Sequence, residues 1–165
     1  MSTSDEPPTS TACIPFSIDT ATILENRNLD ALIASLDAAN FTSHTKFESM
    51  PGVIKTFLGS LDENKFLIAN PGEDWQATDV VLGKRLPNRR LLYLGVGQDI
   101  ALLAYYKGGI GKSERILIFR FTERCVIDFW CGGVLTNLKT KEQIVEYLKG
   151  NKNKHWGLNT NVIYI

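Results

Sequence analysis

Four short apolar runs between Arg89 and Val134, separated by turn residues, constrain this chain more than any other stretch. Arg89-Arg90-Leu91-Leu92-Tyr93-Leu94-Gly95-Val96 has the aliphatic, aromatic and β-branched content of a strand, and Gly97-Gln98-Asp99 supplies a turn. A second run spans Ile100 to Tyr106. The third, Arg115 to Phe121, carries large apolar side chains at both parities, as a central strand covered on two faces does. Thr122-Glu123 makes a tight connection to the fourth, Arg124 to Cys131, which Gly132-Gly133 ends. The pattern predicts an antiparallel meander over 89–134.

Successive strand side chains point to opposite faces. On the fourth run, Cys125, Ile127, Phe129 and Cys131 therefore form a core face, and Arg124, Val126, Asp128 and Trp130 form a mixed one. The mixed face suits a solvated or helix-covered surface, or the lining of a shallow pocket where Asp128, Tyr105, Arg120 and Trp130 converge.

Helical periodicity flanks the meander. Ser17 to Glu25 reads as a short helical turn. Asn28 is placed to cap a helix whose buried stripe is Leu29, Leu32, Ile33 and Leu36, with Asn40 as a left-handed stop. Thr42-Ser43-His44-Thr45 reads as a polar link to a second helix, capped by Ser49 and buried through Met50, Ile54, Phe57, Leu58 and Leu61. Phe66 to Ala69 reads as an edge strand. The stretch 73–88 is open, with Trp75 and Val80-Val81 as anchors. Thr140 and Gln143 form a capping box for a helix over 141–149, which Gly150 would stop, and Asn161 to Ile165 has strand character. The expected fold is α+β, with N-terminal helices on one face of a mainly antiparallel sheet of four to six strands, one further helix and a C-terminal strand.

With 165 residues the chain suits one domain, over 17–165, behind a disordered tail over 1–16; a domain near this size buries roughly 70% of its unfolded surface. Lys and Arg total 18 and Asp and Glu total 18, so the broad field of a nucleic-acid binder is absent. The tail lacks a secretory pattern, and no run reaches the ~18 apolar residues of a membrane helix. Of three cysteines, Cys125 and Cys131 sit about 20 Å apart along one strand, too far to pair. Reduced thiols in the cytoplasm are expected, with no cofactor, no metal and no membrane or nucleic-acid partner.

Lys107-Gly108-Gly109-Ile110-Gly111-Lys112-Ser113 resembles, over seven residues, the deviant Walker A signature of the ParA and MinD ATPase family. That resemblance implies phosphate binding by the backbone amides of Gly108, Gly109 and Gly111, charge neutralisation by Lys107 and Lys112, and Mg²⁺ held by Ser113. A P-loop opens a helix, whereas Ser113 runs into strand-forming Glu114 to Phe119, so the residues themselves spell a glycine-rich hairpin loop. Trp130-Cys131-Gly132 is similar to the start of the thioredoxin motif, Trp-Cys-Gly-Pro-Cys, but Gly133 and Val134 stand where Pro and Cys would be. Lys84-Arg85-Leu86-Pro87-Asn88-Arg89-Arg90 is a cationic patch able to hold a phosphate or an acidic partner, or simply a solvated loop and charged strand edge. His44 and His155 sit in separate loops without a metal-ligand pattern, and a Cys131–His155 pair would have to form through space. The leading expectation is a small cytosolic non-catalytic domain that binds a protein or small-molecule partner; the alternatives are an enzyme or binder with a sheet-face pocket, and nucleotide binding at the glycine-rich loop.

Overall fold

A computed structural model describes residues 16–62, 65–78, 83–109, 112–134, 137–154 and 165. Among them are helices α1 (Thr20–Leu24), α2 (Leu29–Ala38), α3 (Gly52–Leu61) and α4 (Lys141–Asn151). The strands are β1 (Thr42–His44), β2 (Arg89–Val96), β3 (Ile100–Lys107), β4 (Ser113–Phe121) and β5 (Val126–Val134), with a 3₁₀ turn at Phe47–Ser49. The strands lie side by side in sequence order, every neighbouring pair antiparallel, giving the expected α+β meander.

Helices cover both faces of the sheet, not one. The Phe57 ring of α3 lies 6.2 Å from Phe119 and 5.2 Å from Phe129, which face each other across β4 and β5. The neighbours of Phe129 point the other way, where Trp130 Nε1 donates to Asn26 Oδ1 at 3.0 Å and Asp128 Oδ1 accepts from Asn28 Nδ2 at 2.9 Å. Asn26 takes the turn between α1 and α2 with a φ of 55°, a conformation asparagine tolerates. On this second side α2 and α4 pack on each other, with Lys149 paired to Asp37 and Lys141 donating to the Ala39 carbonyl. Residues Ile100–Tyr105 of β3 and Ile116–Phe119 of β4 are consequently buried at both parities. Each large apolar side chain so enclosed contributes ~1.5–3 kcal/mol.

Several local expectations change for physical reasons. A bulge opposite Phe121 leaves Ile127 without a partner on β4 and turns it outward, 47% exposed, away from the core face that strict alternation predicts for it. Gly132 and Gly133 continue β5, because a Cβ on Gly132 would stand 2.3 Å from the Trp130 ring: the glycine makes room for the indole. The Thr42–His44 link is an edge strand against Leu94–Val96, and Phe66–Ala69 supplies a single bridge, Ala69 to Arg90. Asn28 starts α2 with helical dihedrals and no capping bond, Ser49 ends the 3₁₀ turn without capping α3, and the extended Ala39 closes α2 ahead of Asn40. At α4, Thr140 Oγ1 accepts from the Gln143 amide, while Gln143 Oε1 reaches the Lys139 amide instead of that of Thr140. Gly150 lies inside α4, since the helix runs on to Asn151. Trp75 stacks on Tyr106. The tail over 1–15, Val80-Val81, His155, Trp156 and most of the expected C-terminal strand lie outside the described residues; Ile165 is buried.

Candidate functional site

The expected sheet-face set divides between the two faces. Arg120 stands opposite Asp128 and shares its face with Trp130, whereas Tyr105 stands opposite Arg115 on the α3 side. Asp128 Oδ1 also accepts the Phe129 amide at 2.9 Å, and Asn28 Nδ2 donates to the Phe129 carbonyl at 3.0 Å. Arg120 leans towards Asp99 at 3.9 Å. Trp130 and Tyr105 are fully buried. These contacts fasten the turn between α1 and α2 to the sheet rather than line an opening.

At the glycine-rich loop, Lys107 ends β3 and pairs with Ser113, which begins β4 in extended conformation. The Gly108 amide donates to the Asn88 carbonyl and the Gly109 amide to that of Ala77, so both donors serve the chain itself. Gly108 is required there, because a Cβ would stand 2.2 Å from the Gln76 oxygen. Lys112 Nζ lies 4.3 Å from the centre of the Tyr106 ring, and Gly111 is outside the described residues.

Following that loop inward leads to a cleft of about 580 Å³ between the ends of β2 and β3 and the segments around Lys65 and Arg85. Lys65, Arg85, Arg89 and Lys107 line it, and among the described residues the carboxylate of Asp62 faces them. Arg89 forms the floor at 3% exposure: the strand parity of β2 turns it inward, under the Phe66 ring 4.2 Å away. Its Nη2 donates to Asp62 Oδ2 at 2.8 Å and to the main-chain oxygen of Ile165 at 2.9 Å. Lys107 Nζ donates to that same oxygen. Burial, then the charges of Arg89 and Arg115, bring the Lys107 ammonium down to about 8. Lys65, on the rim, has a φ of 67°, a sparsely populated conformation for a lysine.

A second, similarly sized opening of about 560 Å³ lies between β1 and the start of α4, near Ser43, His44, Tyr93 and Lys141. Its Lys141 is engaged by the Ala39 carbonyl and lies over the Phe41 ring. No group of three or more His, Cys, Asp or Glu able to hold a metal occurs among the described residues. Burial pushes the Cys131 thiol up to about 12, far from the thiolate that redox or nucleophilic chemistry uses. Cys125, in the turn between β4 and β5, is disulfide-bonded, and the expectation of reduced thiols is corrected there. Cys131 is free, so the two are not joined to each other.

The sequence marked the Lys84–Arg90 patch and named Lys107 for another reason, but it did not reveal that Arg89 turns under the sheet edge. The available signal was its position as the first residue of a strand whose alternate members, Leu91 onward, face the core. No protein-family model, curated protein or solved structure matches this chain.

Proposed function

We propose that this is a non-catalytic binding domain that meets its partner at the cationic cleft beneath the glycine-rich loop. The observation that carries this reading is Arg89. A nearly buried guanidinium, flanked by the half-buried Lys107 and opened to the surface between Lys65 and Arg85, is costly to maintain for packing alone. Clefts that combine apolar walls with a few convergent polar groups are the usual place for a ligand. The covered sheet faces direct the search away from Asp128 and Trp130, and the internally bonded amides of Gly108 and Gly109 direct it away from a phosphate-wrapping loop. None of the described helices is long and apolar enough to cross a membrane. Disulfides persist in oxidising compartments, so the Cys125 bond weighs against a cytoplasmic setting.

The test is a thermal-shift screen of metabolites and short peptides against the native chain and Arg85→Glu, which changes only the exposed rim. A ligand at 100 times its dissociation constant adds about 2.7 kcal/mol of stability. Hits that lose their shift in Arg85→Glu support the reading; a panel without hits, or hits indifferent to that change, removes it.

A further inference from the structure

We infer that Arg89 and Lys107 form a seat for a peptide main chain, which Ile165 of this chain occupies and which an aliphatic residue of a protein partner takes over by displacing it. This rests on the cleft being the binding surface and adds what the partner presents there.

Strand register builds the seat. Arg89 begins β2 and stands opposite Lys107 at the end of β3, and side chains directly opposite each other on paired strands share a face. Both therefore reach the cleft together. Arg89 is fixed from several sides: Nη2 donates to Asp62, Nη1 donates to the Leu67 carbonyl at 3.4 Å, and the Phe66 ring lies 4.2 Å from the guanidinium. A donor set in place beforehand loses little freedom when an acceptor arrives.

Ile165 shows what the seat accepts. It stands 76 positions from Arg89 and 58 from Lys107, yet both donate to its main-chain oxygen. Its side chain joins the core cluster at 6% exposure. The polar half of this contact engages an atom that every residue carries, and the apolar half requires an aliphatic side chain. A segment of another protein that offers both makes the same contacts. Capture of backbone groups, with a pocket for the side chain, is a recurring mode of peptide recognition. The cleft between Lys65 and Arg85 gives the incoming segment its approach to the two donors. Ile165 belongs to the same chain and so competes at high effective concentration, which keeps the seat closed to weak binders.

The test uses the full chain, isotope-labelled for NMR, as wild type and as Ile165→Lys, a change that removes the aliphatic group and repels both cations. The probe is a synthetic peptide with the sequence of residues 161–165. Ile165→Lys should bind it, with amide shifts at Arg89, Lys107 and Gly108. Wild type should need roughly tenfold more peptide, because its own residue holds the place. The same peptide with Ile165→Gly should lose its affinity, and so should the native peptide when Lys107→Gln is added to the Ile165→Lys chain. Were Ile165→Lys to unfold, Ile165→Ala, which only trims the side chain, carries the comparison with a smaller gap. Equal binding by wild type and variant, or no binding by either variant, overturns the inference. If the peptide fails while the wider screen still yields Arg85-dependent hits, the cleft remains the binding surface and Ile165 is a fixed part of its wall; if both fail, both readings fall.

Discussion

Asn28 Nδ2 lies 2.9 Å from Asp128 Oδ1 and 3.0 Å from the Phe129 carbonyl oxygen, so the residue at the head of α2 bonds to the edge strand instead of capping its own helix. Asn28→Ala should therefore cost more than a surface cap. Loss of a hydrogen bond to a charged group and of one to a part-buried carbonyl amounts to ~2–3 kcal/mol, a fall of roughly 4–12 °C in Tm for a chain of this size. Asn28→Asp should be worse at pH 7 than Ala, because two carboxylates would then meet, and should recover as the pH falls towards 4. Urea unfolding of the three proteins checks both statements; equal stability of wild type and Ala would remove the fastening role.

Gly132→Ala should destabilise by ~1–3 kcal/mol, since the new methyl would stand 2.3 Å from the Trp130 ring and force it off its rotamer. Trp130 fluorescence should change with it. Gly150→Ala should do the opposite: the glycine sits inside α4 with open space around it, and the helix gains ~0.5–1 kcal/mol. Denaturation midpoints of the two variants moving in the same direction would contradict this account.

Glu114 is 2% exposed, and both carboxylate oxygens accept from the Leu138 amide. Burial lifts its titration to about 7, from an ordinary value near 4.5. Protonated Glu114 is favoured in the folded state, so its stabilising contribution is complete below pH 4.5 and is lost as pH rises through 7. Glu114→Gln keeps an acceptor for Leu138 and removes the titration. Relative to wild type it should gain up to ~3 kcal/mol between pH 5 and pH 8. Lys107, brought down to about 8, gives the opposite slope above that pH, where the unfolded chain holds a proton the native one has released. Stability curves confined to pH 5–8 isolate Glu114.

Cys131 should be inert towards Ellman's reagent at pH 8 in the native protein, because its thiol is buried and titrates near 12. With Cys125 disulfide-bonded, denaturation without reductant should release one thiol and reduction should release all three. Three thiols without reductant would disprove the bond.

The meander was legible because β2 to β5 announce themselves through apolar content and turns, and α2, α3 and α4 through stripes such as Leu29, Leu32, Ile33 and Leu36. β1 was not, because Thr42-Ser43-His44 carries no apolar alternation and becomes a strand only through its pairing with Leu94–Val96. The double cover of the sheet was written in Ile116 to Phe119 but not on the fourth run, where the bulge at Ile127 breaks the two-residue period. The cleft was half visible: Arg85 and Arg89 lie in the cationic patch and Lys107 in the glycine-rich loop, but no sequence pattern marks Lys65, and the burial of Arg89 depends on Phe66, Asp62 and Ile165, all remote in sequence.

The outer side of β2 is shared between β1, which ends at His44 opposite Leu94, and the lone bridge from Ala69 to Arg90. At the far side of the sheet, Asn28 and Asp128 occupy the outward amide and carbonyl of Phe129. Among the described residues both flanks are thus interrupted, so self-templated stacking into fibres has less to start from.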